Sequence, residues 1–266
     1  MSQQKLVQGH TARKRFGQNF LCDTQIIQKI IDAVLATSPK AVVEIGPGLG
    51  ALTAPLLKHL PHLHVVEIDR DLIARLEQTY PPEKLSIWAG DALKQDFNAI
   101  APEEPLLTIV GNLPYNISTP LLFHLSNFAP RVASMTFLLQ KEVVERMIAN
   151  PGEADYGRLS VMLQYRYRMG KLFDVPPEAF RPAPKVTSAI VRMVPRPPEQ
   201  LAARDTARFE AIVTAAFGKR RKTLRNTLQE YLTDTDFAAL NIDPTLRGEV
   251  LSVDDFIRLA NYIKPA

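Results

Sequence analysis

One cysteine, Cys22, is all that the 266-residue chain carries, so no intramolecular disulfide can form and a reducing compartment is expected. Three of the five histidines, His59, His62 and His64, sit around one helix-to-strand turn, where a surface or structural place is expected. With a single cysteine they make no zinc-ligand pattern, and no metal is expected. Long apolar runs are missing too: no stretch approaches the ~20 consecutive residues of a membrane span. Residues 1–15 are polar and basic, without the apolar core of a signal peptide. The chain therefore reads as a soluble, cytoplasmic protein without a membrane partner, and nothing in it demands more than a monomer.

Acid is scarce in three places. The net charge of +4 and pI near 9.1 are only mildly basic. Yet residues 1–20 carry Lys5, Arg13, Lys14 and Arg15 and no acid, and residues 156–196 hold eight Lys/Arg against Asp174 and Glu178. Residues 219–225 pack Lys219, Arg220, Arg221, Lys222 and Arg225 into seven positions. A single such run is commonly a solvated face. Three in one chain favour a polyanionic partner, because neutralising phosphates requires clustered cations. The nucleic-acid reading precedes any motif.

Hydrophobic residues make up 46% of the chain, enough for a sizeable core. Apolar runs at 41–45, 63–68, 85–89, 106–110, 132–138, 160–167 and 189–194 are candidate strands. Helical spacing covers 23–36, capped by Asp23 or Thr24, and then about 51–60, 70–79, 118–127 and 140–149. This alternation predicts an α/β fold with a mostly parallel seven-stranded sheet and helices on both faces; the last two strands, with no long helix between them, can pair antiparallel. The run from Pro195 to Pro198 reads as a linker. Beyond it, helices are expected at about 205–217, 219–232 and 252–263, the last begun by a capping box of Ser252 and Asp255. Two domains result: residues 1–196, and a small all-α domain at 197–266.

Residues 41–50 run from a strand through Gly46, Gly48 and Gly50 into a helix. Glycines allow close backbone approach to a ligand, and Glu67, about twenty residues on, is placed to bind both hydroxyls of a ribose. A tight turn without ligand is the plain alternative, and the loop alone does not separate NAD from S-adenosylmethionine. Glu44 before the glycines, suited to a cationic methionine end, and Asp91-Ala92 after the third strand, suited to an adenine amino group, favour S-adenosylmethionine. Asp69 reads as a helix cap.

Asn112-Leu113-Pro114-Tyr115 follows the fourth strand, at the edge where open α/β sheets bind ligands. An adenine N6 is a poor nucleophile because its lone pair is delocalised into the ring. Two acceptors, the Asn112 side-chain carbonyl and the Leu113 backbone carbonyl, can localise that lone pair; Pro114 fixes the turn and Tyr115 offers a stacking face. A plain turn is the alternative, since Asn and Pro are common there. An oxidoreductase would leave the tetrapeptide and the basic segments unexplained. A DNA adenine methyltransferase would more usually carry two prolines after the first residue.

On these motifs the chain resembles the ribosomal RNA adenine N6,N6-dimethyltransferases, of the Rossmann-like class I methyltransferase fold. Residues 15–21 resemble the family's N-terminal cofactor segment, and 44–50, 66–69 and 90–92 its cofactor motifs. The resemblance implies that S-adenosylmethionine is held by Gln18, Asn19, Leu21, Glu44, Gly46, Gly48, Glu67, Asp91, Ala92 and Asn112. It also implies that Asn112, Leu113, Pro114, Tyr115 and Phe180 act at the base, Phe180 by stacking. Read from spacing alone, Phe180 is a core aromatic. Residues 217–224 resemble an RNA-facing segment, which implies an RNA-binding role for Lys219, Arg220, Arg221, Lys222 and Arg225 in a C-terminal RNA-binding domain. The implied activity is transfer of two methyls to each of two adjacent adenines in a hairpin near the 3′ end of 16S rRNA in the small ribosomal subunit. The segments at 180–188, 219–224 and 246–252 favour that branch over the large-subunit relatives of the macrolide-resistance type. Intact Asn112, Glu67 and Asp91 argue against a non-catalytic assembly factor.

Overall fold

The computed structural model describes residues 6–7, 10–11, 19–219 and 221–263; the expectations for Gln18 and Arg220 lie outside them. Seven strands form the main sheet: β1 (Ala41–Ile45), β2 (Leu63–Glu67), β3 (Leu85–Ala89), β4 (Leu107–Asn112), β5 (Val132–Gln140), β6 (Tyr167–Val175) and β7 (Ser188–Pro195). Their order across the sheet is β3-β2-β1-β4-β5-β7-β6. The pairs β1–β2, β2–β3, β1–β4 and β4–β5 are parallel, and β5–β7 is antiparallel. Every residue of β1 is buried, as expected of a central parallel strand covered on both faces. The order reverses between β1 and β4, so the carboxyl ends of β3, β2, β1 and β4 stand side by side at a switch point.

Helix α1 (Thr24–Leu35) starts where the Asp23 carboxylate accepts from the backbone of Gln25 and Ile26 at 2.9 and 3.0 Å. Its Ile30, Ile31 and Val34 are buried against Val42, Val65, Val110 and Ile190 of the sheet. Helix α2 is one turn, Thr53–Leu56, shorter than the pattern over 51–60 suggested. Helix α3 (Arg70–Thr79) is capped by Asp69, which accepts from Asp71 N at 3.1 Å, as its sequence place implied. Helix α4 (Ser118–Ser126) follows β4, and α5 (Lys141–Ile148) follows β5.

Packing divides the chain into two compact units, residues 1–144 with 170–195, and residues 145–169 with 196–266. The second is therefore discontinuous, whereas the proline run suggested one boundary at 196. Its extra segment contains α6 (Arg158–Arg166), where the sequence suggested a strand at 160–167. The difference has a physical reason. Leu159, Ser160, Val161, Met162, Leu163 and Tyr165 are all buried, and a segment enclosed on most sides loses the periodicity that separates helix from strand. The seventh strand is β6 instead, beginning at Tyr167 where the expected strand ended, and β7 lies between it and its antiparallel partner β5. Helix α6 packs on α7 (Thr206–Phe217) and α10 (Val253–Tyr262), the latter begun by the Ser252–Asp255 capping box.

The segment 219–232 also departs from the helix expected there. Only Leu224–Thr227 is helical (α8), followed by α9 (Asp234–Ala239). Leu224 N and Arg225 N donate to Leu246 O and Pro244 O, so neighbouring chain satisfies the start of this short turn. Lys219, Arg221 and Lys222 lie in irregular backbone before it, all exposed, rather than in a helix. Tyr156 is buried, its hydroxyl donating to Leu251 O at 2.8 Å within the same unit, which makes it structural. No described helix is long and apolar enough to cross a membrane.

Candidate active site

A cavity of about 210 Å³ opens at the carboxyl ends of β1 to β4. Gly46 and Gly48 turn the chain out of β1 with φ of 67° and 59°, values that a side chain resists. The Phe20 ring lies against Gly48, where a Cβ would come within 3.3 Å of it. The Phe20 ring and the glycine loop thus line the same cavity in contact with each other.

Glu44, next to last in β1, is buried with no cation to neutralise it among the described residues. The Thr53 hydroxyl donates to its Oε2 at 2.6 Å. Burial, opposed by Thr53 and reinforced by the nearby Glu67, pushes its carboxyl up to about 8. An acid in this state can receive a positively charged group by giving up its proton. Glu67, at the end of β2, is buried too, and three backbone amides donate to it: Ile68 N at 2.8 Å, Asp69 N at 2.9 Å and Gly48 N at 3.3 Å. Burial raises its pKa and those amides counter the rise. They hold the carboxylate beside the glycine loop in an orientation suited to two vicinal hydroxyls. Asp91 follows β3, with Oδ1 accepting from Leu93 N at 3.0 Å. Ile68, Leu72, Ala92 and Leu93 supply apolar wall between these carboxylates. The buried Glu44 and Glu67 and the half-buried Asp91, at intervals along an apolar slot, fit a nucleoside carrying a cationic tail.

Asn112 closes the other end. Its Nδ2 donates to Asn19 O at 2.8 Å, which leaves the side-chain carbonyl as the uncommitted end of the amide. Leu113 N donates to Leu138 O, and the turn is completed by Ile117 N to Pro114 O and by the Ser118 hydroxyl to Tyr115 O. Tyr115 is half-buried, with its hydroxyl 2.6 Å from Ser188 Oγ. The segment carrying Asn19 is itself anchored, because Phe20 and Leu21 pair antiparallel with Arg181 and Phe180.

The cavity brings together Asn19, Leu21, Glu44, Gly46, Gly48, Glu67, Asp91, Ala92, Asn112, Leu113, Pro114 and Tyr115. Phe180 is not among its lining residues. Its ring is fully buried in the core with Leu21, Ile30 and Val175, as its spacing suggested, and stacking on a base would require it to leave that core. Lys219, Arg221 and Lys222 stand exposed in the second unit, while Arg225 is held by Asp234 at 2.9 Å. Sequence reasoning assigned no role to Phe20, Thr53 or Ser188. Phe20 lies inside the 15–21 cofactor segment, whereas nothing local marks Thr53 as a partner of Glu44 or Ser188 as one of Tyr115. Of the histidines at that turn, His62 has a structural place, bridging Glu83 O and Ser86 Oγ at 3.0 and 2.9 Å. No group of described His, Cys, Asp and Glu side chains could hold a metal ion.

The chain matches the protein family described as ribosomal RNA adenine dimethylase over residues 9–265. It is 68% identical over 254 residues to a protein of Aromatoleum aromaticum named ribosomal RNA small subunit methyltransferase A, covering 96% of this chain and 95% of that one. A protein of the same name from Thiobacillus denitrificans is 59% identical over 254 residues, with 96% and 98% covered. Among solved structures, a dimethyladenosine transferase from Plasmodium falciparum aligns with a TM-score of 0.76 at 27% identity, covering 90% of this chain and 95% of that one.

Proposed function

Because the chain belongs to the ribosomal RNA adenine dimethylase family, we propose that it dimethylates the N6 amines of two adjacent adenines in a hairpin near the 3′ end of 16S rRNA, within the small ribosomal subunit. The observation that carries this reading is the Asn112 amide, whose Nδ2 is spent on Asn19 O so that its carbonyl is left for an N6 hydrogen. S-adenosylmethionine, when bound, supplies an electrophilic methyl on a positively charged sulfur. Glu67 would hold the ribose hydroxyls, Asp91 the adenine amino group, and Glu44 the cationic end, all three lining the cavity. Asn112 Oδ1 and the Leu113 carbonyl would accept from N6 and so orient its lone pair. Tyr115 supports the extruded base. N6 becomes acidic as it is alkylated and gives its proton to solvent, so positioning rather than a strong general base accounts for the rate. The high identity to relatives named for the small subunit favours that substrate over the large subunit.

The test is methyl transfer from labelled S-adenosylmethionine to undermethylated 30S particles, naked 16S rRNA and 50S particles in parallel, with the modified base mapped. Label on two adjacent adenines of the 30S particle is expected. Label in the 50S particle would favour the large-subunit reading, and none at all a non-catalytic assembly factor.

Two further outcomes are expected. Glu44 is largely protonated at neutral pH, so a cation placed beside it must displace a proton. Cofactor affinity should rise as pH approaches about 8 and level off above it. Calorimetry in buffers of different ionisation enthalpy should detect a released proton at pH 6.5, and Glu44→Gln should abolish it. For the free protein the sign is opposite. The raised pKa means a contribution to stability that is present below the ordinary carboxylate range and lost as pH rises through about 8. The second outcome concerns the second unit. Neutralising Lys219, Arg220, Arg221 and Lys222 together should weaken RNA binding and reduce the salt slope by roughly 0.7–0.9 for each phosphate that is no longer neutralised. An unaltered slope would make that run a solvated face.

A further inference from the structure

Tyr115 leaves a tight turn whose backbone is fixed at Pro114 O and Tyr115 O, so its ring position depends on the side-chain torsions. The far end of that side chain meets Ser188, which is fully buried at the first position of β7, opposite Gln140 of β5. The two hydroxyl oxygens are 2.6 Å apart, across 73 residues of sequence. The phenolic oxygen lies on the axis about which the ring spins, so this bond fixes where the axis points and leaves the ring faces uncommitted.

We propose that Ser188 is a positioning residue for methyl transfer, holding the Tyr115 phenol so that the ring face, and not the hydroxyl, meets the base presented to Asn112. This rests on the adenine reading of the tetrapeptide given above. The site makes such a restraint necessary. Tyr115 lines the cavity and is only half-buried, so without an anchor its ring can swing toward solvent. Ser188, in contrast, stands in the β5–β7 ladder and cannot follow it. Burial raises the pKa of the Tyr115 phenol, which keeps it a neutral hydroxyl able to share a proton with the serine. The bond also explains why the 180–188 segment serves the base side of the site although the Phe180 ring does not reach the cavity. Its first residues hold the 19–21 segment near the cofactor loop, and its last holds Tyr115.

A double-mutant cycle tests this in the full chain, reading single-turnover methyl transfer to undermethylated 30S particles, with cofactor Kd and Tm measured on each variant. Tyr115→Phe and Ser188→Ala should each slow transfer about tenfold, the scale of one buried hydrogen bond, with cofactor Kd within about twofold of the parent. The double variant should be no slower than the slower single one. Ser188→Thr, which retains the hydroxyl, should recover most of the rate. Multiplying losses in the double variant would overturn the proposal, as would full speed in Tyr115→Phe. If Ser188→Ala does not fold, Tyr115→Phe still decides, since it leaves β7 untouched. Failure of the underlying reading has its own signature, namely normal turnover in Asn112→Ala and Tyr115→Ala. If those two are inactive while Tyr115→Phe runs at full rate, only the role of Ser188 falls.

Discussion

Asn112→Ala should lower the rate of methyl transfer by at least about a hundredfold, the scale of losing one preorganised polar contact to a reacting group. The amide has two ends with different tasks. Nδ2 ties the end of β4 to Asn19 O at 2.8 Å, and Oδ1 is left for the substrate amine. Alanine removes both. Cofactor affinity should therefore fall only by the modest amount that one backbone tie contributes, a few-fold, while turnover collapses. Asn112→Asp separates the tasks, because it keeps an acceptor oxygen and loses the donation to Asn19. The expected order of turnover is parent, then aspartate, then alanine. Equal turnover in all three, measured on undermethylated 30S particles, would remove Asn112 from the chemistry.

Gly111→Ala should be the most damaging glycine-to-alanine change among the described residues of the first unit. A Cβ at Gly111 would stand 2.6 Å from Ile45 O and 3.0 Å from Leu113 Cδ2. The first of these is backbone, in the strand paired with β4, and cannot rotate away. Either β4 must separate from β1 or the turn into Asn112 must move. Both displace Asn112 relative to Gly46, so activity should be lost even in protein that remains folded. The overpacking should cost about 2 kcal/mol or more, seen as a fall in Tm of several degrees. Gly170→Ala is the control: nothing lies within 4 Å of a Cβ there, and the change should be close to neutral. A Gly111→Ala protein with parental Tm and turnover would mean that the strands tolerate a wider spacing than the packing implies.

The parts of the site legible in the sequence are those fixed by short-range chemistry. Glycines at 46 and 48, an acid ending the second strand and another after the third, and a tetrapeptide after the fourth all follow from strand–turn–helix punctuation. Parallel order then aligns the four strand ends, so residues from 44 to 115 share one cavity. The spacing reading of Phe180 as a core aromatic agrees with its buried place, whereas the stacking role came from resemblance. The same local logic failed at 158–166 and 219–232. One segment is too enclosed to show an amphipathic period. The other is a basic stretch with helical spacing in which the Leu224 and Arg225 amides donate instead to Leu246 O and Pro244 O.

What the sequence determined by itself is which residue types stand at the carboxyl edge of the sheet, and that they suit an adenosine-bearing cofactor and an amine on a flat ring. Only the tertiary structure decided which way the Asn112 amide turns, that Thr53 rather than a cation meets Glu44, and that Ser188 meets Tyr115. The physical reason is separation along the chain. Asn19 and Asn112 are 93 residues apart and Tyr115 and Ser188 are 73, and local periodicity carries no record of such meetings. They follow from strand order and register, which exist only once the sheet has formed.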